Sequence, residues 1–215
     1  MPAPKGRTAR QTARRPAAVT ADAIVDAALA RAEAEGWNDI RLSELAAGLG
    51  LSPADLQARF RDKDAIADAW FGRALAAMLA PPPRGFAGLA VRDRLEMLML
   101  RWFDALAPHR GVTADMLRAK MWVAHPHHYV PMVFSLSRLI QWLRDAAGMT
   151  AMGRRRQAEE IGLTLLFLAV LRRWCGDESD GQEETRAYLA RRLDQADRYA
   201  ARCFVGRPPA REQAA

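Results

Sequence analysis

Alanine and leucine dominate the apolar half of the chain, whereas the residues that favour strands are sparse. Hydrophobic residues make up 50% of the sequence, yet only three tyrosines are among them. Alanine and leucine are strong helix formers, while β-branched and aromatic residues favour strands. The sequence therefore predicts an all-α fold. Its 215 residues are enough for a small head and a larger body.

Capping residues, prolines and glycines at the ends of apolar stripes divide the chain. Thr20 can cap a first helix that stops at Gly36, Asp62 can cap the fourth helix, and a short body helix is expected to begin at Thr113. Three consecutive prolines at 81–83 end a helix, because they remove backbone donors and force extended geometry on their neighbours. The predicted segments are a disordered basic tail over 1–19, a head over 20–80, a linker over 81–90, a helical body over 91–205 and a disordered tail over 206–215.

Residues 43–60 have the layout of a helix-turn-helix. Gly50 suits the turn because glycine tolerates positive φ, Ser52 can cap the second helix, and Pro53 fits the first helical position. In such a motif the second helix enters the major groove of DNA, with its N-terminal part facing the base edges. By itself, the pattern is compatible with DNA binding and with ordinary helix packing.

Residues 40–66 resemble the DNA-binding head of TetR-family regulators. The most specific stretch is Phe60-Arg61-Asp62-Lys63-Asp64-Ala65-Ile66, which is similar to the Phe-x-x-Lys-Glu-x-Leu entry into the family's fourth helix. The resemblance extends over 20–72. It implies a three-helix DNA-reading head with a helical ligand-binding and dimerisation body, and a contact between Lys63 and a backbone phosphate.

The chain departs from the family's pattern at three positions. Gln57 replaces an aromatic residue that contacts phosphate, and Arg41 stands where threonine is frequent, but both can donate hydrogen bonds to DNA. Asp55 adds a negative charge to the predicted recognition helix and can only accept, chiefly from cytosine. The predicted DNA-binding residues are Arg14, Arg15, Arg41, Ser52, Pro53, Ala54, Gln57, Arg59 and Lys63.

Positive charge is concentrated in the N-terminal tail. The chain carries a net charge of +7, and residues 1–19 contain five basic residues and no acid. Such a tail can lie along a phosphate backbone or in a minor groove, or it can serve only to keep the protein soluble. Its place just before the first helix favours DNA contacts by Arg14 and Arg15.

Bulky apolar residues occupy the body helices that enclose an inducer pocket in TetR regulators. Methionine and aromatic side chains suit an adaptable apolar cavity, and they suit an ordinary core equally well. The predicted ligand is a small, largely apolar molecule that changes the spacing of two heads. The predicted pocket residues are Met99, Trp102, Phe103, Met121, Trp122, Phe134 and Trp142.

The last two long helices carry more apolar surface than one core can absorb. Residues 161–171 are nearly all apolar, which predicts a helix buried on most sides, and a second stripe runs along 189–203. A symmetric four-helix contact would bury both stripes. The sequence therefore predicts a homodimer. Together with the helix-turn-helix and the resemblance to TetR regulators, a dimer implies a palindromic operator in double-stranded DNA.

Two further stretches resemble a different group with the same fold. Phe103-Asp104-Ala105-Leu106-Ala107-Pro108-His109-Arg110 and Trp174-Cys175-Gly176-Asp177-Glu178-Ser179-Asp180, followed by Thr185 and 189–193, are similar to TetR-fold lipid-binding proteins that assist ubiquinone biosynthesis. Those proteins use the cavity of the body for lipid and bind membranes. The resemblance implies an alternative function, a lipid-binding protein at a membrane surface.

No catalytic, metal or cofactor site is predicted. Three histidines, His125, His127 and His128, lie close together around a proline, but side chains so near in sequence rarely bind the same metal ion. The two cysteines, Cys175 and Cys203, show no spacing typical of a disulfide framework or a zinc site. Motifs of hydrolases, phosphate-binding loops and metalloproteases are absent from the sequence, so we do not expect an enzyme. Without a secretion signal or a long apolar span, the expected location is the cytoplasm.

Overall fold

The computed structural model describes residues 19–120 and 126–204, with the side chains of all of these except 126–134, 201, 203 and 204. Within these ranges the chain forms helices and no strand, so the all-α prediction is confirmed. No helix there is long and apolar enough to cross a bilayer. The helices are α1 Ala21–Glu35, α2 Leu42–Gly48, α3 Pro53–Gln57, α4 Lys63–Met78, α5 Val91–Leu106, α6 Arg110–Lys120, α7 Pro126–Ala146, α8 Gly153–Cys175 and α9 Glu183–Phe204.

The predicted starts of three head helices are confirmed by their caps. Thr20, Ser52 and Asp62 each accept a hydrogen bond from the backbone N–H three residues further on, at 3.1, 3.1 and 2.7 Å. Each bond satisfies a donor that the first turn of a helix leaves without a partner. The end of α1 is also as expected, because Gly36 leaves the helix with a φ of +92°.

Several predicted boundaries are wrong by a few residues. The predicted recognition helix extends to Phe60, but α3 ends at Gln57, and a tight turn takes the chain to the extended residue Asp62. In the body, α6 begins at Arg110 and not at Thr113. A short 3-10 helix, Ala107–His109, carries Pro108 in its first turn, where the missing N–H costs nothing, and leads directly into α6.

Helix α4 connects the head with the body. Its buried residues Ala67, Trp70, Ala74 and Met78 belong to one continuous apolar core that also includes residues of α1 and α5. The predicted linker 81–90 contains a short 3-10 helix whose Phe86 is buried. A movement of α4 therefore affects packing in both the head and the body.

The single chain buries only part of the apolar run 161–171, which the sequence analysis expects to carry more apolar surface than one core can absorb. One face of α8 is buried through Leu163, Phe167 and other residues, but Ile161, Leu165 and Leu168 are 62%, 63% and 42% exposed. Their spacing of four and three residues places these three side chains on one face of the helix. Among the residues that the structure describes, no helix covers this apolar stripe.

Candidate functional site

The turn between α2 and α3 depends on a glycine, as the sequence predicts. Gly50 has a φ of +66°, a conformation that costs other residues free energy. The backbone N–H of Leu51 donates to the carbonyl of Ala46 at 2.9 Å and closes the turn. Leu45 and Leu56 are buried beneath it, so α2 and α3 pack on the head core and α3 lies at the surface.

Ser52 and Asp55 form a reciprocal capping box at the start of α3. The Ser52 hydroxyl accepts from the Asp55 N–H, and the Asp55 carboxylate accepts from the Ser52 N–H at 3.2 Å and from its hydroxyl at 2.6 Å. These hydrogen bonds from Ser52 lower the pKa of Asp55. The negative charge that departs from the TetR pattern thus stabilises the helix start.

The predicted reading residues form the exposed surface of α3. Pro53, Ala54 and Gln57 are exposed, and Leu56 anchors the opposite side. Because Ala54 is small, it lets a partner approach the helix backbone closely. Gln57 presents an amide, which can donate and accept hydrogen bonds at the same time.

Two arginines of the predicted DNA-binding set lie at the start of α2 and just after α3. The side chain of Arg41, at the start of α2, is 78% exposed and only 3.4 Å from a carboxylate oxygen of Glu44. Arg59 donates to the backbone carbonyl of Asp55 at 2.9 Å, which holds its guanidinium beside the end of α3. Arg14 and Arg15 lie outside the described residues. Within the described residues, Arg59 is thus held next to α3, while Arg41 is exposed at the start of α2.

Lys63 is the first residue of α4 and is held against the turn after α1. Its ammonium donates to the carbonyls of Trp37 and Asn38, at 3.0 Å each, and lies 5.6 Å from the centre of the Trp37 ring. Partial burial lowers its pKa, an effect that Asp64 and Asp39 oppose. An ammonium has three donors. Two of them are used in these hydrogen bonds, which fix the position of Lys63.

Three of the predicted pocket residues are buried together in the body. Met99, Trp102 and Phe103 of α5 are at most 3% exposed. Aromatic rings from α4 and α8 complete the group: Phe71 stacks on Trp102 with a centroid distance of 6.3 Å, and Phe167 meets it edge-on at 5.0 Å. We call Phe71, Trp102, Phe103 and Phe167 the aromatic cluster.

The other predicted pocket residues are not part of the aromatic cluster. Trp142 lies on α7 with 51% of its surface exposed. Met121 and Trp122 lie outside the described residues, and Phe134 outside the described side chains. His125 also lies outside the described residues, and the side chains of His127, His128 and Cys203 lie outside the described side chains. The sequence missed Phe71 and Phe167, although Phe167 belongs to the apolar run that it singled out.

A polar contact between head and body was also missed. The Trp70 indole on α4 donates to the Thr113 hydroxyl on α6 at 2.9 Å, and that hydroxyl donates to the His109 carbonyl at 2.8 Å. His109 Nδ1 lies 2.6 Å from a carboxylate oxygen of Glu33 on α1. These partners are far apart in the sequence and share no motif, so only the fold brings them together.

A second polar contact joins α6 to α4 near the head. Lys120, 9% exposed, donates to Asp68 at 2.8 Å. A buried ammonium is held strongly by such a partner, because separating them would leave a charge in apolar surroundings. Together with the Trp70–Thr113 bond, it connects α6 to α4 at two points along its length.

The residues that resemble the TetR-fold lipid-binding proteins stabilise the turn between α8 and α9. Burial would raise the pKa of Asp177, but hydrogen bonds from Ser179 and Thr185 outweigh it and keep that pKa well below its usual range. Gln182 accepts from the Trp174 indole and donates to Asp104 of α5 at 3.1 Å. These residues therefore fasten the turn to the body.

The chain was compared with known proteins. No family model and no curated protein matched it. Among solved structures, it is similar to the TetR transcriptional regulator from Nitrosomonas europaea ATCC 19718, with 38% identity and a TM-score of 0.73. The alignment covers 82% of this chain and 97% of that one.

Two other solved structures share the fold at lower identity. A TetR-like transcriptional regulator from Rhodococcus sp. RHA1 has 20% identity and a TM-score of 0.54, with 86% of this chain and 99% of that one covered. A TetR-family regulator from Rhodococcus sp. has 21% identity and a TM-score of 0.52, over 81% and 96%. Because the chain is 38% identical to the Nitrosomonas europaea regulator over 97% of that protein, it belongs to the TetR family of transcriptional regulators.

Proposed function

We propose that the protein is a cytoplasmic, homodimeric repressor that binds a palindromic operator through its heads and releases it when an apolar ligand enters its body. The head comprises 20–80, the linker 81–90 and the body 91–205. The observation that carries the DNA-binding part is the exposed face of α3, with Gln57 and Ala54 outward. In a helix-turn-helix, this is the face that meets the major groove.

The DNA contacts divide into two kinds. Gln57 is suited to base reading, because its amide can make two hydrogen bonds to adenine in the major groove. Lys63, Arg41, Arg59 and the tail arginines Arg14 and Arg15 supply positive charge for phosphates. Ser52 and Pro53 act mainly by starting α3, since the Ser52 hydroxyl is engaged with Asp55.

The dimer contact is proposed at the exposed stripe of α8. Ile161, Leu165 and Leu168 form an apolar row that the described helices of the same chain leave uncovered. A second copy related by a two-fold axis can cover the row with its own equivalent, which is the commonest arrangement in soluble oligomers. Two heads then face two half-sites about one helical turn apart.

Ligand response requires a connection between the body and α3. Helix α4, 16 residues and about 24 Å long, begins at Lys63 in the head and carries Phe71 into the aromatic cluster. The Trp70–Thr113 and Asp68–Lys120 bonds join the same helix to α6. A ligand that repacks the aromatic cluster would shift α4, provided that it binds one head spacing more tightly than the other.

The lipid-binding alternative has no support beyond its sequence resemblance. Asp104, Asp177 and Trp174, which carry much of that resemblance, have structural partners that account for their presence in this fold. The solved structures described above are transcriptional regulators. We therefore prefer the regulator and keep the alternative as an outcome of the test.

The deciding experiment selects bound duplexes from a random DNA library with the purified full-length protein. Fluorescence anisotropy then measures affinity for the recovered duplex across a salt series. We expect a palindromic site and an affinity that falls steeply with salt. Recovery of no preferred sequence, together with tight binding to liposomes, would support the lipid-binding alternative.

Single-residue and deletion variants test which parts of the protein contact DNA. Lys63→Ala should weaken binding and reduce the slope of log affinity against log salt by about 1, as expected for one lost phosphate contact. Deleting residues 1–19 should weaken binding to all sequences alike. Arg84→Ala removes one positive charge from the exposed segment between α4 and α5 and should leave affinity and slope unchanged. Thermal unfolding of each variant shows whether the head remains folded.

A further inference from the structure

The indole N–H of Trp102 has no hydrogen-bond partner among the described residues, although the nitrogen is fully buried. Trp102 is 3% exposed and is surrounded by rings: Phe71 lies parallel to it, and Phe103 and Phe167 meet it nearly at right angles. None of these phenyl groups offers a lone pair. The rings that contact Trp102 therefore offer its donor no acceptor.

Two other buried tryptophans do not share this condition. The Trp70 indole donates to the Thr113 hydroxyl, and the Trp174 indole donates to the Gln182 side chain. Buried polar groups in folded proteins are nearly always paired, and a buried donor without an acceptor is destabilising. At Trp102 a donor lies among three predicted pocket residues, on the helix that packs against α4.

We propose that the ligand of the body is an uncharged molecule with an aromatic or otherwise flat apolar part and a carbonyl oxygen that accepts a hydrogen bond from Trp102 Nε1. The inference rests on the proposed ligand response and specifies its chemistry. A charged ligand is disfavoured because the rings around Trp102 supply no opposite charge to replace lost hydration. A pure hydrocarbon would leave the indole donor without a partner.

This site also explains how the signal would reach the head. Phe71 lies parallel to the Trp102 ring, with the two planes 5° apart, and belongs to α4. A ligand that fixes the indole through its nitrogen would hold or displace Phe71. The same helix begins at Lys63, which is itself a predicted DNA contact.

The test uses three matched pairs of probes in which the ketone oxygen is the essential difference. The pairs are acetophenone and ethylbenzene, benzophenone and diphenylmethane, and fluorenone and fluorene. Binding is measured by calorimetry with the full-length protein, and the indole N–H resonances of the 15N-labelled protein are followed in parallel. Trp102→Phe assigns the resonance and removes the donor while keeping an aromatic ring. Trp142→Phe, an exposed tryptophan, is the matched control.

We expect at least one ketone to bind five- to tenfold more tightly than its hydrocarbon, about the effect of one neutral hydrogen bond. The Trp102 N–H resonance should move downfield with the ketone alone, and the preference should disappear in Trp102→Phe but not in Trp142→Phe. Equal binding within all three pairs, no binding of any ketone, or a preference that survives in Trp102→Phe would overturn the inference.

A DNA-release assay separates this inference from the function on which it rests. Ketone binding at Trp102 without release of the selected duplex would support the site and contradict the proposed ligand response. A charged compound that releases the duplex without moving the Trp102 resonance would support ligand response and overturn the inference. If Trp102→Phe does not fold, tryptophan-to-phenylalanine variants at the other five tryptophans assign the Trp102 resonance by elimination, and the decision is read from the wild-type protein.

Discussion

Asp55 accepts two hydrogen bonds from Ser52, and Ser52 accepts one in return from the Asp55 backbone. The pair occupies the positions at which a DNA-reading helix must begin. A carboxylate that looks unfavourable beside phosphates thus has a local role, because it fixes the start of a helix only five residues long. Such a short helix depends on its cap, since propagation contributes little to its stability.

The first prediction concerns this cap. Ser52→Ala should lower the free energy of unfolding by about 1 kcal/mol, the usual effect of removing a capping hydroxyl. DNA affinity should fall with no change in its salt slope, because no phosphate contact is lost. Urea unfolding and anisotropy provide the two measurements. Ser43→Ala, at an exposed position of α2, should change neither; an equal loss in both variants would contradict the assignment.

The cap shows which features can be predicted from the sequence. Ser52 and Asp55 are three residues apart, so their interaction is local, as are the caps at Thr20 and Asp62. Such contacts depend on short-range geometry, and the sequence predicted the three helix starts correctly. The resemblance to TetR regulators was also visible in the sequence, and the comparison with solved structures confirms it. Because the family consists of transcriptional regulators, its members are not expected to be enzymes, as the sequence predicted.

Contacts between distant residues could not be predicted in this way. Trp70 and Thr113 are 43 residues apart, and their pairing depends on how α4 and α6 pack. The sequence predicted surplus apolar surface on α8 but not which residues form its exposed face, because an apolar run does not reveal which of its sides the other helices cover. Leu165 is apolar like its buried neighbours, and only the arrangement of the other helices leaves it exposed.

The second prediction concerns the Trp70–Thr113 bond. Thr113→Val keeps the shape of the side chain but leaves the Trp70 N–H buried without an acceptor, which should lower the free energy of unfolding by about 1–3 kcal/mol. Trp70→Phe combined with Thr113→Val should cost less than the sum of the single changes. Urea unfolding of the four proteins gives the coupling, and strict additivity would argue against the bond.

The third prediction concerns pH. Because the pKa of Asp177 is lower in the folded chain than its usual value, its contribution to stability is present above about pH 4 and is lost as the pH falls towards the lowered pKa. Asp177→Asn should therefore lower the free energy of unfolding by about 1–3 kcal/mol at pH 7. The difference from the wild type should narrow below about pH 4.

Chemical unfolding at pH 7 and pH 3 measures this effect. Asp180→Asn is the matched control, because Asp180 lies in the same turn and is exposed. The control should change stability little at either pH. A difference between wild type and Asp177→Asn that is as large at pH 3 as at pH 7 would mean that Asp177 acts through its shape and not through its charge.

The last prediction concerns the stripe of α8. Leu165, 63% exposed in the single chain, lies between Ile161 and Leu168 on an apolar face. If a second copy covers this face, Leu165→Lys places a buried charge without a partner in the contact, and the dimer should dissociate at micromolar concentration. Val91→Lys makes the same change at another partly exposed apolar residue, at the start of α5, and should leave the dimer intact. Sedimentation velocity distinguishes a monomer of 23.9 kDa from a dimer.

Loss of the dimer should also weaken operator binding strongly, because two linked heads bind two half-sites far more tightly than one head binds one. A monomeric wild type, or a Leu165→Lys protein that remains dimeric, would remove α8 as the contact between the two copies.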